Sequence, residues 1–317
     1  MKISVIVATR NRAGQVAPAL ESIVAAAQGA PAVEVEVVLV DNGSTDETAA
    51  VVAAEATRCP LRVIPAMEPE PGLSRARNLG LQKATGDVIA FTDDDCRMTP
   101  AYFADLARHY RKLEGPFVLG GRVELGDPAD LPFTIKTDDQ PARLGGEVHP
   151  GGFVHGANMT APREVFDLVG RFDVRFGAGG RFQSAEDTDF LVRARRAGVP
   201  VLYAPDMAVR HFHGRRTLAE VRKLSRAYQL GNGALLAKHW RADPMLLKHL
   251  WWNGRNAAAE LFGGRLFDPE LGISHRDVFL ANLRGLALYA AQPRPKTALA
   301  QRSAQTSPDR APQQVQS

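Results

Sequence analysis

Three consecutive carboxylates, Asp93, Asp94 and Asp95, end the short apolar run Val88-Ile89-Ala90-Phe91. Adjacent like charges repel, and burying them unpaired is costly, so a strand that delivers all three to one sheet edge suggests a cation there. Hard divalent ions such as Mg²⁺ or Mn²⁺ prefer carboxylate oxygen, and Mg²⁺ is commonly shared between one or two carboxylates and substrate phosphates. Taken alone, the triplet reads more readily as a solvated acidic turn after a strand. A second acidic pair, Glu186-Asp187, stands at the start of a helical stretch, where the helix dipole favours acidic residues whether or not they have a function. His211 and His213 fall in the basic stretch RHFHGRR, which reads as a loop. Cys96, beside the triplet, reads as a small packing residue rather than a nucleophile.

The elements that must position these groups alternate. Ile3 to Ala8 is a β-branched strand, and Thr9-Arg10-Asn11-Arg12 turns out of it into a helix carrying Val16, Leu20, Ile23 and Val24. Val35 to Val40 is a second strand ending in Asp41. Ser44 and Glu47 then have capping-box spacing for an Ala-rich helix. Leu61 to Ile64, a helix from Leu73 to Ala84 and the strand before the triplet continue the alternation. Strands alternating with helices imply a mainly parallel sheet, whose ligands gather at the carboxyl ends of the strands. That rule brings Thr9, Asp41 and Asp93 to Asp95 to one rim, and so strengthens the metal reading. Further on, the pattern predicts a helix from Pro100 to about Leu113, a strand over Phe117 to Leu125 and irregular chain over 126–155. A short ordered piece at Gly156 to Met159 precedes a helix from Pro162 to Val169. Phe190 to Ala197 is a helix and Val199 to Tyr203 a strand. Helices fill 217–291, and the Pro-, Gln-, Ser- and Arg-rich end, 292–317, is expected to be disordered.

The 317 residues suffice for a full core, with 45% hydrophobic and 23% charged residues. Two cysteines make no disulfide framework and point to a reducing, cytoplasmic setting. The apolar N-terminal run is too short for a signal peptide, and no stretch is long enough to span a membrane. The net charge of +4 conceals an asymmetry: residues 207–296 hold 15 Lys and Arg against 6 Asp and Glu, and residues 1–206 balance at −6.

Several stretches, in order, resemble family 2 glycosyltransferases of the GT-A fold: VIVATRNR, VVLVDNGSTDET, GLSRARNLGL, GDVIAFTDDDC, GRFD and AEDTDF. They cover roughly residues 1–213, so the resemblance implies a catalytic domain of the α/β class there, followed by a helical region over 214–291. It also implies an inverting transfer from a nucleotide diphosphate sugar. Ala8, Thr9, Arg10 and Asp41 would hold the base and ribose. Asp95 would ligate Mg²⁺ or Mn²⁺, with Asp93 and Asp94 touching ribose, sugar or metal. Arg75, Arg77 and Asn78 become donor-site candidates, although surface charge on a helix explains both arginines equally well. Asp187 would be the base that takes the acceptor's proton, with Glu186 structural or acceptor-binding, and His211 matches a histidine near the diphosphate or metal. No QxxRW-type motif or membrane helix follows Asp187, which favours addition of one sugar over polymerisation. The expected partners are a UDP- or dTDP-linked donor and a hydroxyl acceptor, lipid-linked or in surface polysaccharide synthesis. Nucleic acid is not expected.

Two other classes compete. A sugar nucleotidyltransferase also pairs such a sheet with carboxylate-bound Mg²⁺, but ATRNR lacks the glycines of its phosphate loop. A non-catalytic nucleotide-sugar binder would have little use for both acidic clusters. Trp240, Trp251 and Trp252 among basic residues read either as a packed helical face or as a patch for peripheral contact with an anionic membrane at its inner face. Attraction of an anionic acceptor or of the donor diphosphate is a third reading of that basic half.

Overall fold

The computed structural model describes residues 1–292; the tail expected to be disordered lies outside the described residues, Gln292 excepted. Strand β1 (Lys2–Thr9) leads through α1 (Ala13–Gln28) to β2 (Glu34–Asp41), then through α2 (Thr48–Arg58) to β3 (Arg62–Met67). Helix α3 (Leu73–Lys83) returns the chain to β4 (Val88–Asp93). These four strands are parallel, because each pair is joined by a helical crossover. Both faces are covered, so side chains of alternate parity feed two cores. Ile3, Val5, Val7, Val37, Leu39 and Ala90 point to one, and Ile6, Val38, Val40, Ile89 and Phe91 to the other.

The chain then doubles back. β5 (Cys96–Met98), α4 (Tyr102–Tyr110), β6 (Val118–Leu125), β7 (Ala142–Arg143) and β8 (Met159–Pro162) precede α5 (Glu164–Val169), α6 (Glu186–Arg196) and β9 (Val201–His211). The sheet runs β3-β2-β1-β4-β8-β6-β9-β5, with β7 also pairing with β9. Its long ladders are parallel, including β6 with β9, and the antiparallel ones are short. Strand order reverses between β1 and β4, and register sets Thr9 opposite Asp41 and Ala8 opposite Asp93. The rim expected from the sequence is therefore a topological switch point.

Helices α7 (Leu218–His239), α8 (Met245–Glu260) and α9 (His275–Ala290) complete the described chain. A true capping box, Thr217 with Glu220, opens α7. Among the described residues no helix is long and apolar enough to cross a membrane.

Two local expectations are corrected. Ser44 and Glu47 do not cap α2: the Ser44 hydroxyl accepts the Asn11 N–H at 2.9 Å, tying the exit loop of β1 to that of β2, while Asp46 accepts the Thr48 N–H at 3.0 Å. A tertiary contact has taken the side chain that local spacing assigned to the cap. His211 is not on a loop. A register shift between Gly121 and Arg122 absorbs Pro205 to Met207, so β9 continues past the proline and ends at His211.

Candidate active site

The three aspartates at the end of β4 divide between two arginines. Asp93, the last residue of the strand, accepts from Arg77 Nη2 at 3.1 Å. Asp94 accepts from Thr9 Oγ1 at 2.7 Å and from Arg12 Nη1 at 2.8 Å. Asp95 accepts from the same Arg12 nitrogen at 2.6 Å, and its other oxygen lies 3.3 Å from His211 Nε2. Asp94 and Asp95 are each 4% exposed, so the solvated-turn reading fails for these two. They nevertheless respond differently. Burial, reinforced by the charge of Asp95, pushes Asp94 up to about 6 in spite of Arg12. Burial opposes the Asp95 carboxylate as well, but His211 and then Arg12 outweigh it and hold Asp95 below the usual range. His211 is raised in turn, burial being outweighed by its bond to Asp95.

Asp95 Oδ1 and His211 Nε2 fit one divalent ion, being buried, close and able to offer an oxygen and an imidazole nitrogen. Cys96 Sγ shares the cluster, but burial pushes its thiol well above the ordinary value, so it stays protonated and packs in the core.

Arg77 joins the second acidic pair to the first. It is 2% exposed; Nη1 donates to Glu186 Oε1 at 2.9 Å while Nη2 holds Asp93. Surface charge is thereby ruled out for Arg77. Gly156 makes room for the guanidinium: a Cβ there would lie 2.6 Å from Arg77 Nη1. Burial, then the charge of Asp187, pushes Glu186 up to about 7, and Arg77 offsets only part of this. Asp187, half-buried, accepts the Gly156 N–H on Oδ2 at 3.0 Å and the Thr188 N–H on Oδ1 at 2.6 Å. Oδ1 also accepts from the Thr188 hydroxyl at 3.2 Å, whereas Oδ2 keeps a second lone pair and can still take a proton.

These groups line one cleft of about 820 Å³, large enough for a nucleotide-sized ligand. Ala8, Thr9, Arg10, Arg77, Asp93, Asp94, Asp95, Glu186, Asp187 and His211 all reach it. Of the four non-glycine residues with left-handed backbone among the described residues, Thr134, Gln183 and Ala185 lie there too, a concentration of strain typical of functional sites. Three expected residues do not line it. Asp41 accepts the Ser44 N–H at 3.1 Å and shapes the exit loop of β2. Arg75 pairs with Glu70 at 2.8 Å, and Asn78 clips the Gly-Arg-Phe loop by exchanging two hydrogen bonds with the backbone of Phe172. His213 is buried near Asp130, away from the cleft lining.

Sequence reasoning missed Arg12, His155 and Thr134. Arg12 stands in the same exit loop as Arg10, and nothing in ATRNR says which arginine turns inward. His155 and Thr134 come from the stretch expected to be irregular, where no periodicity marks an inward side. The cleft also extends among α7, α8 and α9, where Tyr228, Asn232, Leu250 and Asn253 form its wall.

A family profile described as glycosyl transferase family 2 matches residues 4–168. Glycosyltransferase AglE of Haloferax volcanii is 25% identical over 252 residues, 78% of this chain and 77% of that protein. The succinoglycan biosynthesis protein ExoM of Rhizobium meliloti is 28% identical over 176 residues, and the match spans 54% of each protein. Among solved structures, the mannosyltransferase PcManGT from Pyrobaculum calidifontis, in complex with GDP-Man and Mn²⁺, has a TM-score of 0.56 at 21% identity, covering 95% of this chain and 79% of that one. TarS 1-349 of S. aureus, also solved in complex with UDP-GlcNAc, has a TM-score of 0.51 at 17% identity and covers 91% of this chain and 89% of its own. At such identities the two structures speak for the fold, which is that of GT-A glycosyltransferases.

Proposed function

The chain belongs to glycosyl transferase family 2 and is a glycosyltransferase, and from that premise we propose that it moves one sugar, with inversion, from a nucleotide diphosphate sugar to an acceptor hydroxyl. The observation that carries the reading is the bridge made by Arg77. It ties Asp93 at the end of β4 to Glu186 at the start of α6, residues brought together from distant parts of the chain. A donor-binding rim and a candidate base thus share one cleft.

On the donor side, the exit loop of β1 and Asp93 would meet the nucleotide, while Arg12 and Thr9 keep Asp94 and Asp95 in place. Asp95 and His211 would hold a divalent ion, and their mixed oxygen and nitrogen donors suit Mn²⁺ better than Mg²⁺. When bound, such an ion would supply positive charge for a diphosphate leaving group. The Mn²⁺ named with PcManGT supports a divalent metal here. On the acceptor side, Asp187 takes the hydroxyl proton as the oxygen attacks the anomeric carbon from the face opposite the diphosphate. Glu186, locked to Arg77, acts as a positioning residue. ExoM, named for succinoglycan biosynthesis, supports an acceptor in polysaccharide synthesis.

The test is incubation with a panel of nucleotide sugars, beginning with UDP- and dTDP-linked donors, and mass spectrometry of the products. Transfer or slow hydrolysis of one donor is expected. Release of pyrophosphate from a nucleoside triphosphate and a sugar phosphate instead would make the chain a nucleotidyltransferase and overturn the reading.

A further inference from the structure

Helix α8 has two faces with different occupants. Its inward side contributes Leu246, His249, Leu250 and Asn253 to the cleft. Its outward side carries Leu247, Lys248, Trp251, Trp252 and Arg255, which recur at the three- and four-residue spacing of one helical face. Trp251 is 61% and Trp252 41% exposed, and Phe262, just past the helix, is 91% exposed. Within α8 only Leu246 and Ala257 are buried.

We propose that α8 is an interfacial helix: its outer face seats the enzyme on an anionic membrane surface while its inner face walls the acceptor end of the cleft. This rests on the glycosyl-transfer reading and extends it to an acceptor anchored in that membrane. Charge complementarity selects the occupant. Arg255 lies over both indoles, 5.9 Å from the ring of Trp251 and 5.1 Å from that of Trp252, and Arg241 lies 5.2 Å over Trp240. Cations held against indoles fit the boundary between headgroups and acyl chains, where tryptophan settles and Lys or Arg meets anionic lipid. The single acidic residue of α8, Glu260, sits at its far end and accepts the backbone N–H of His275 at 2.6 Å.

The distribution of charge separates this from the other readings of the basic half. Among the described residues from 207 onward, Arg215 alone of the Lys and Arg lines the cleft, and from Leu224 onward no Lys, Arg, Asp or Glu does, so most of the +9 balance is not aimed into the site. An anionic acceptor would find no cation on that wall. A second copy of the chain, paired symmetrically through this face, would bring Lys248 and Arg255 against their own counterparts. A bilayer with acidic headgroups satisfies both the indoles and the cations.

The experiment is co-sedimentation of the full chain with vesicles of phosphatidylglycerol and phosphatidylcholine, or of phosphatidylcholine alone, at low and high salt. Pelleting with the anionic vesicles at low salt, with a blue shift of tryptophan emission, is expected, and high salt should release most of the protein. Trp251→Ser with Trp252→Ser should cut pelleting several-fold and leave donor hydrolysis in vesicle-free solution unchanged. The proposal fails if anionic vesicles pellet no protein at low salt, if the double variant pellets as well as the wild type, or if neutral vesicles bind equally. It also fails if the face proves to be a dimer contact, with a dimer in size exclusion that the double variant dissociates and no vesicle binding. Donor hydrolysis is scored separately: its absence across the panel while pelleting persists counts against the proposed activity, and pelleting lost while hydrolysis persists counts against the membrane face.

Discussion

Asp187 and Asp95 line the same cleft but are held by different partners, and their substitutions should separate accordingly. Asp187 is fixed by two backbone N–H groups and the Thr188 hydroxyl, and it pairs with neither Arg12 nor Arg77. Asp187→Asn is nearly isosteric, so turnover should fall by roughly 10²-fold, the scale of a lost general base, while nucleotide affinity stays close to wild type. Calorimetric titration of nucleotide alongside steady-state rates checks this; wild-type turnover in the variant would move the base elsewhere, with Glu186 next in line. Asp95→Ala removes a candidate metal oxygen. Nucleotide binding by the variant should weaken only when Mn²⁺ or Mg²⁺ is present, and EDTA should bring the wild type down to the variant's level. Equal loss with and without metal would mean that Asp95 serves the fold and not an ion. The acidic residues of this site could be read from their runs and order, whereas Arg12 could not, because a guanidinium in an exit loop reveals its direction only when the loop folds.

At the level of elements, the joint that matters is α6 against α7. Asp189, fully buried one turn after the acidic pair, meets Lys238 Nζ at 2.6 Å, His239 Nε2 at 2.7 Å and Arg193 Nε at 2.9 Å. Burial opposes its charge, but His239, Lys238 and Arg193 more than compensate and bring it down to about 2. A depressed carboxylate of this kind contributes stability above its unfolded value of about 3.9, lost only as pH falls toward 2. Asp189→Asn leaves Lys238 and Arg193 facing a neutral amide and should cost about 3 kcal/mol, the scale for breaking a buried ion pair. Urea denaturation at neutral pH measures it. The gap between variant and wild type should close at acid pH; a gap unchanged between neutral pH and pH 2 would exclude the charge as its cause. The start of α6 thus depends on a helix that the family profile, ending at residue 168, does not reach.

Over the whole molecule, α6 packs on the sheet through Phe190, Leu191 and Ala194, and it shares a second core with the C-terminal helices. Phe176, Phe182, Ala185 and Val192 pack with Leu230, Ala234 and Leu235 of α7. We therefore expect one cooperative thermal transition for the full chain, and a shortened chain ending at residue 213 should aggregate or melt well below it. Scanning calorimetry decides: two separate transitions, or a stable 1–213 fragment, would make the helical region an independent unit. The boundary at 213 was drawn where the motifs stop, and motif content says little about where a hydrophobic core stops.

Short-range pattern was enough for much of this protein. The alternation of β-branched strands and amphipathic helices determined a parallel sheet, because hydrophobic periodicity and crossover handedness leave few topologies. That sheet, with the rule that ligands gather at strand ends, puts Thr9, Asp41 and Asp93 on one rim from the sequence alone. What the tertiary structure decided were the contacts made across long stretches of chain. Arg77 reaches Glu186 109 positions away, Ser44 serves Asn11 instead of its own helix, and β9 crosses a proline by bulging, with Pro205 to Met207 left out of its ladder with β6. Asn78 and Arg75, adjacent to Arg77 or two positions from it, turn away from the cleft because the loop around Phe172 and the side chain of Glu70 hold them. Propensity and spacing act over a few residues, whereas the direction of a charged side chain depends on which distant partner compensates the loss of its water.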